Sequence, residues 1–397
     1  MRQLAARMSV MTGEGALTIF ARAKELERSG RSIIHLELGQ PDFHPAKSVN
    51  DALKRAVDEG KDRYCPVIGL PALSEALSTY LHDTRNLNIS PENIVIAPGC
   101  KLALFMAMMA LIDPGDEVLY PDPGFPGYES ITLGLGGKPV PFILAAKNHL
   151  QPDPDEIEAS ITPRTKILIT NSPGNPTGTV YTDDVQRRLA ELAVKHDLLV
   201  LSDEIYARII YGGTYKSMMS YPGMEERTLI IDGFSKSFAM TGWRLGYVTA
   251  PARIIPALDL IAVNTYTCTA EFTQYGAIEA LRDREGATPR MVAEFAKRRE
   301  QFVRDLNRVP GFRCVPPEGA FYAWVDVSGA GQSAEEICRV MLEEVGVAAI
   351  PGAAFGPAGA NYVRFSYASS SAVLKEAVER ILTVASAWQG APAGLTR

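Results

Sequence analysis

The sequence predicts an α/β fold: a large three-layer α/β/α domain, with helices on both faces of a mainly parallel sheet, and a smaller α/β domain at the C-terminal end. Three observations predict it. The chain has 397 residues, too many for one small core. Between residues 93 and 232, short β-rich runs alternate with helical stretches. Those runs are mainly apolar and do not alternate, as in Ile94-Val-Ile-Ala97, which is the pattern of strands buried on both faces.

The elements follow in order. Residues 17–28 read as a helix with Leu17, Phe20, Ala21 and Leu26 near one face, and Gly30 beyond its end. Residues 33–38 alternate like a strand and stop at Gly39-Gln-Pro-Asp-Phe43, a loop stiffened by Pro41 and Pro45. Helices follow at 49–59 and 70–82, with Tyr64 in the loop between them. Then come strand 93–97, helix 101–112, and strands 117–120 and 166–170. Helix 182–196 and strands 198–202 and 228–232 complete the alternation. The C-terminal part contains helix 291–308, strands 320–325 and 362–366, and helices 334–345 and 373–386. The expected division is an N-terminal arm and small-domain segment at 1–45, a large domain at 46–288 and a small domain at 289–397. The tail after Gln389 is expected to fray.

Composition narrows the function. Apolar residues make up 46% and charged residues 22%, ordinary for a soluble globular protein. The net charge of −6 gives no basic field for nucleic acid. Five scattered cysteines show no zinc-ligand spacing and point to a reducing, cytoplasmic setting. Arg2 and Arg7 are followed by no apolar signal core, and the longest apolar run, 102–112, is too short to span a bilayer. Neither metal nor membrane is expected.

Ligands of parallel sheets sit at the carboxyl ends of the strands, and motifs fall there. After 93–97 comes Pro98-Gly-Cys-Lys101, opening a helix whose first N–H groups suit a phosphate. After 117–120 a proline-rich loop presents Phe125, either to stack on a planar ring or to pack within the loop. After 166–170 comes Asn171-Ser-Pro-Gly-Asn-Pro-Thr-Gly178, where the amide of Asn175 is available to donate and a cis bond before Pro176 is plausible. After 198–202 comes Asp203-Glu-Ile-Tyr206; a buried carboxylate there requires a partner, such as a protonated pyridine nitrogen. After 228–232, Lys236 stands in a run short on charge, where an amine loses hydration and turns nucleophilic, with Arg244 eight residues on to hold an anion. That lysine and arginine suit a Schiff base and a phosphate, the needs of pyridoxal 5′-phosphate.

In this order and spacing, Asn-Ser-Pro-x-Asn-Pro-Thr-Gly, Asp-Glu-x-Tyr and Ser-Lys-x-x-x-Met-x-Gly-x-Arg-x-Gly-Tyr resemble the class I/II aminotransferases, fold-type-I pyridoxal-phosphate enzymes, most nearly the aspartate aminotransferase subgroup. The resemblance spans about residues 33–381 and includes Glu318-Gly-Ala-Phe-Tyr322, Pro351-Gly-Ala-Ala-Phe-Gly356 and Val363-Arg-Phe-Ser366. It implies that Lys236 carries the Schiff base and shuttles the proton, and that Asp203 keeps the pyridine nitrogen protonated. Asn175 and Tyr206 would bond the ring oxygen and Phe125 would stack on the ring. Cys100, Lys101 and Arg244 would hold the phosphate. Ser235 is available there, but the phosphate-binding serine that many relatives place three residues before the lysine is Gly233 here. Tyr64 matches the tyrosine that reaches the neighbouring subunit's phosphate, which implies a homodimer with shared sites. Arg364 would clamp the substrate α-carboxylate, helped by Gly39 and Asn175.

The expected reaction moves an amino group between an L-amino acid, aspartate-like or broad, and a 2-oxo acid such as 2-oxoglutarate, by a ping-pong cycle. The small domain would pack with residues 1–45 and close over substrate. For side-chain selectivity two readers stay open: Lys101 for a distal carboxylate, or Glu14 for a cation. The alternatives are β/γ-elimination or amino acid oxidation on the same fold, or a cofactor-binding regulator. Against the last, residues 1–38 offer no helix-turn-helix.

Overall fold

The computed structural model describes residues 4–283, 286–385 and 388. In chain order its strands are β1 (Ile34–His35), β2 (Ile94–Ala97), β3 (Glu117–Asp122), β4 (Lys138–Ile143), β5 (Thr165–Asn171), β6 (Leu199–Asp203), β7 (Thr228–Gly233), β8 (Gly246–Thr249), β9 (Arg313–Cys314), β10 (Tyr322–Asp326), β11 (Val347–Ala348), β12 (Ile350–Pro351) and β13 (Tyr362–Ser366).

Seven of them form the main sheet in the order β2-β8-β7-β6-β5-β3-β4. Only β8 runs against the rest, pairing antiparallel with both β7 and β2. All residues of β2, β3, β7 and β8 are buried, as strands covered on both faces must be. One face packs on the helices Cys100–Leu111 and Ile255–Thr265, through Val95, Leu104, Met108, Ile169, Val248 and Leu258. The other carries helix Asp183–Lys195, through Leu119, Leu168, Leu189 and Val200. β4 closes one edge with Pro139 and Pro141, residues that cannot extend a hydrogen-bond ladder to another strand.

The second sheet, β12-β13-β10-β9, is antiparallel. It shares a core with helices Ala287–Leu306, Ala334–Val345 and Ser371–Ala385, built on Phe295, Phe302, Phe321, Phe365 and Ile381. β1 pairs in parallel with β11, and helix Gly15–Arg28 packs on Leu342 and Ala348.

Several sequence expectations need correction. The strand expected at 33–38 is ordered as strand only at Ile34–His35. The chain leaves the ladder because the Leu36 carbonyl accepts from the Ser366 N–H (2.7 Å) and the Glu37 carbonyl from the Arg364 guanidinium (2.5 Å). In helix Gly15–Arg28 the buried residues are Ala23 and Leu26; Leu17 and Ala21 are exposed. The helix expected at 291–308 runs from Ala287 to Leu306. The sequence reading passed over β4, β8 and the helices Gly127–Gly134, Pro154–Ala159, Ile255–Thr265 and Glu271–Arg282. Residue 386, where the last helix was expected to end, and the tail after Gln389 lie outside the described residues. Among the described residues, no helix is long and apolar enough to cross a membrane.

Candidate active site

β2, β5, β6 and β7 all end along one edge of the main sheet, and the loops that follow them surround a cavity of about 330 Å³. The strand ends supply Asn171, Asp203 and the loop carrying Lys236. Residues from the antiparallel sheet and the segment before it, among them Arg364, Tyr322 and Gly39, complete the wall. Of the site residues expected from the sequence, Gly39, Cys100, Lys101, Phe125, Asn175, Asp203, Tyr206, Ser235, Lys236, Arg244 and Arg364 all line this cavity. Tyr64 does not; it is 87% exposed on the outer surface.

Asp203 closes the inner end. Its carboxylate accepts from the Tyr128 hydroxyl (2.7 Å) and the Ile205 N–H (3.3 Å). Burial pushes the carboxyl up to about 6; the Tyr128 hydrogen bond opposes this, and the charges of Asp232 and Glu204 add to it. Neutral donors alone do not compensate a buried carboxylate, so the position suits a cationic partner. Beside it, the hydroxyls of Tyr206 and Tyr322 share a hydrogen bond at 2.7 Å, and burial raises Tyr206 well above the ordinary phenol range.

Lys236 leaves β7 three residues beyond its last strand residue, and its ammonium donates to the Gly39 carbonyl. Gly39 also makes room for the Tyr322 hydroxyl, which a Cβ there would meet. Arg244 holds a left-handed backbone, φ 53°, after the turn Thr241–Trp243, and its guanidinium donates to the Thr241 carbonyl at 2.9 Å. The same guanidinium lies where a Cβ on Gly99 would stand. Helix Cys100–Leu111 begins at that glycine with no side-chain cap. Uncapped helix N–H groups beside a guanidinium make an anion site.

Arg364, on β13, is buried at the opposite wall. It donates to the Asn175 side-chain oxygen (2.8 Å) and the Glu37 carbonyl, and Nε has no partner. The rings of Tyr322 (4.3 Å) and Phe355 (4.7 Å) flank it. Burial lowers its pKa, since both oxygens it touches are neutral. Asn175 is fixed by its own N–H to the Asn171 side-chain oxygen (2.8 Å), and Asn171 in turn donates to the Asp203 carbonyl (3.0 Å). The Asn175–Pro176 bond is cis.

Lys101 and Glu14 both line the cavity and form an ion pair with each other. The sequence reading treated them as rival readers of the substrate side chain; the fold makes each the other's partner. It also passed over Tyr128, Tyr322, Asn171 and Glu37. Asn171 and Tyr322 stand inside motifs already quoted and Tyr128 lies three residues after Phe125; the signal for the tyrosines was a buried phenol in need of a partner. Glu37 acts through its carbonyl, which no residue type announces.

Comparison with known proteins agrees with this geometry. The family model for aminotransferase class I and II matches residues 31–381. An aspartate aminotransferase of Bacillus subtilis (strain 168) is 37% identical over 386 residues, covering 96% of this chain and 98% of the relative. Among solved structures, the aspartate aminotransferase from Thermus thermophilus with maleate superposes with a TM-score of 0.93 at 36% identity, covering 97% of this chain and 100% of that one. The aromatic aminotransferase from Pyrococcus horikoshii OT3 gives 0.86 at 38% identity, covering 92% and 98%.

Proposed function

The chain belongs to the class I and II aminotransferases, pyridoxal-phosphate-dependent enzymes that move an amino group between amino and 2-oxo acids, and from that premise we propose a donor range that is aspartate-like or broad, with 2-oxoglutarate as acceptor, in a ping-pong cycle. One observation carries the residue roles: an amine (Lys236), a half-buried carboxyl (Asp203) and a buried guanidinium held by neutral oxygens (Arg364) line the same cavity.

The residues present fit the cofactor. Asp203 is a half-buried carboxyl pushed up to about 6 by desolvation, which a ring N–H⁺ would relieve. The uncapped start of the helix at Cys100 and Lys101, with Arg244 and Ser235, would hold the phosphate. Phe125 would cover a ring face, and Asn175 and Tyr206 would bond the ring oxygen. When bound, pyridoxal phosphate supplies an aldehyde and an electron-withdrawing ring. The Lys236 amine would hold the cofactor and, once free, would take the proton from the substrate Cα. Arg364 binds the α-carboxylate as a fork, which fixes the Cα–H bond relative to that amine. Leu38, Leu104 and Ile231 line the cavity and keep the reacting carbon in apolar surroundings.

We assign residues 46–288 to a large domain, 1–45 to an N-terminal arm and small-domain segment and 289–397 to the small domain, which closes over substrate. The working form is a homodimer, in which the exposed Tyr64 completes the phosphate site of the second copy. Leu260 and Val263, on helix Ile255–Thr265, are exposed as well, consistent with a covered surface. The five cysteines are free, in keeping with a cytoplasmic enzyme.

The test mixes purified holoenzyme with single amino acids, without an oxo acid, and follows cofactor absorbance. Conversion to the aminated cofactor, fastest with aspartate or glutamate or spread over many donors, is expected. Release of ammonia or peroxide instead would assign the chain's own chemistry to elimination or oxidation.

A further inference from the structure

Glu14 is the residue just before helix Gly15–Arg28, with an extended backbone, yet its carboxylate does not cap that helix. It crosses to Lys101 instead, 87 positions away. The segment around it is pinned on two sides. The Thr12 N–H donates to the Ser130 hydroxyl (3.0 Å), and that hydroxyl donates back to the Thr12 carbonyl (3.1 Å). A Cβ on Gly15 would stand 2.8 Å from the Ala354 side chain, so the start of the helix is seated closely on the turn Gly352–Phe355. The backbone that carries Glu14 is thereby held at the cavity wall, which Glu14 lines.

The cavity carries four cations. Lys236 and Arg244 are committed to the cofactor, and Arg364 to the α-carboxylate. Lys101 is left to meet whatever the substrate carries at its far end, and its ammonium lies 5.8 Å from the Phe125 ring centroid. Glu14 also acts electrostatically on Arg364, where its charge opposes the burial that weakens that guanidinium. An anion that belongs to the chain thus stands among the groups that receive the anions of a dicarboxylic substrate.

Resting on the aminotransferase reading, we propose that Glu14 is a specificity-determining residue: its carboxylate competes with a substrate's distal carboxylate for Lys101, which lowers the preference for dicarboxylic substrates and broadens the donor range toward amino acids with uncharged side chains. An uncharged side chain enters without disturbing the pair. A distal carboxylate gains Lys101 only by displacing Glu14, and the displaced carboxylate must then be hydrated or repelled.

The test uses holoenzyme and the variants Glu14→Gln, Lys101→Gln and the double variant. Calorimetry measures binding of succinate and propionate, which carry no amino group, and kcat/KM is measured for aspartate and alanine. Glu14→Gln is expected to improve succinate relative to propionate by about 3- to 10-fold, the scale of a half-exposed ion pair. The aspartate-to-alanine ratio of kcat/KM should rise in step, through KM. In the Lys101→Gln background the Glu14→Gln shift should vanish. An unchanged or reduced succinate preference, an equal change for both acids, or a shift that persists without Lys101 would overturn the proposal. So would a loss of kcat/KM confined to lysine and arginine, since Glu14 would then read substrate cations. The binding ratio reads Glu14 even if no amino acid aminates the cofactor, an outcome that would defeat the assigned reaction instead.

Discussion

Arg85 and Arg364 are both buried, and both leave Nε without a partner, but the oxygens around them differ in charge. Arg85 donates to the Glu204 carboxylate (2.6 Å) and to the Asp232 carboxylate. Those acids are themselves satisfied, Glu204 by the hydroxyls of Ser217 (2.6 Å) and Ser202 (3.0 Å), and Asp232 by that of Tyr247 (3.0 Å). Burial works against the charge of Arg85, but Asp232 and Glu204 raise its pKa well above the ordinary guanidinium value. Arg364 meets an amide oxygen and a peptide carbonyl, and burial lowers it. A guanidinium neutralised by carboxylates has its counter-charge and serves the fold; one held in place by neutral acceptors still lacks an anion and serves binding. The carboxylates divide in the same way: Glu204 belongs to the closed cluster, and its neighbour Asp203 faces the cavity with a phenol and an amide for company.

That contrast is open to test. The largest effect is expected on the open side, where Lys236→Ala should lower turnover by about 10⁴-fold or more with the unfolding midpoint little changed; steady-state rates and thermal melts check both. Asp203→Asn should keep the fold and cost about 10²- to 10³-fold in kcat, because a neutral amide no longer stabilises charge on the ring. Normal turnover in that variant would place Asp203 with the structural groups. On the closed side, Arg85→Met strands two buried carboxylates and should cost about 3–5 kcal/mol in urea unfolding. Arg364→Met should cost much less, since it strands none; equal losses would erase the distinction. Arg364→Lys should raise KM for amino and 2-oxo acids by about 10- to 100-fold while cofactor affinity holds, because an ammonium replaces the two-pronged fork.

The smallest effect is one of pH. The Asp203 carboxyl, raised from 3.8 to about 6, binds its proton more tightly folded than unfolded. In the apoenzyme its contribution to stability is therefore best below about 3.8 and declines as pH rises through about 6. A cationic ring partner favours the ionised form, so cofactor affinity should fall below about pH 6, by up to about tenfold per unit. Reconstitution of apoenzyme from pH 5 to 8 measures that slope, and Asp203→Asn should lack it.

Much of the fold was legible because burial on both faces leaves a local mark. β2, β5, β6 and β7 each hold an apolar stretch without alternation, and each leads into the polar or glycine-rich motif that forms the site. β4 escaped because Pro139 and Pro141 speak against a strand, and only its place at the sheet edge makes them tolerable. β8 escaped because its first two residues, Gly246 and Tyr247, are the end of the Lys236 motif and because it runs antiparallel inside an otherwise parallel sheet.

The sequence by itself determined the strand-helix alternation and the motifs at the strand ends, among them the one that carries the lysine we propose for the cofactor, since each depends on residues within a few positions of one another. Tertiary structure decided which charges found partners. Tyr128 meets Asp203 across 75 positions, Glu14 meets Lys101 across 87, Arg85 meets Glu204 across 119 and Arg364 meets the Glu37 carbonyl across 327. Strand alternation sends Asp203 and Glu204 to different sides but does not say which side holds the cavity and which holds Arg85. That is fixed only when the helix bearing Arg85 and the sheet bearing Arg364 pack against the same strand ends, because a charge acts through distance and burial, and neither is a local property of the chain.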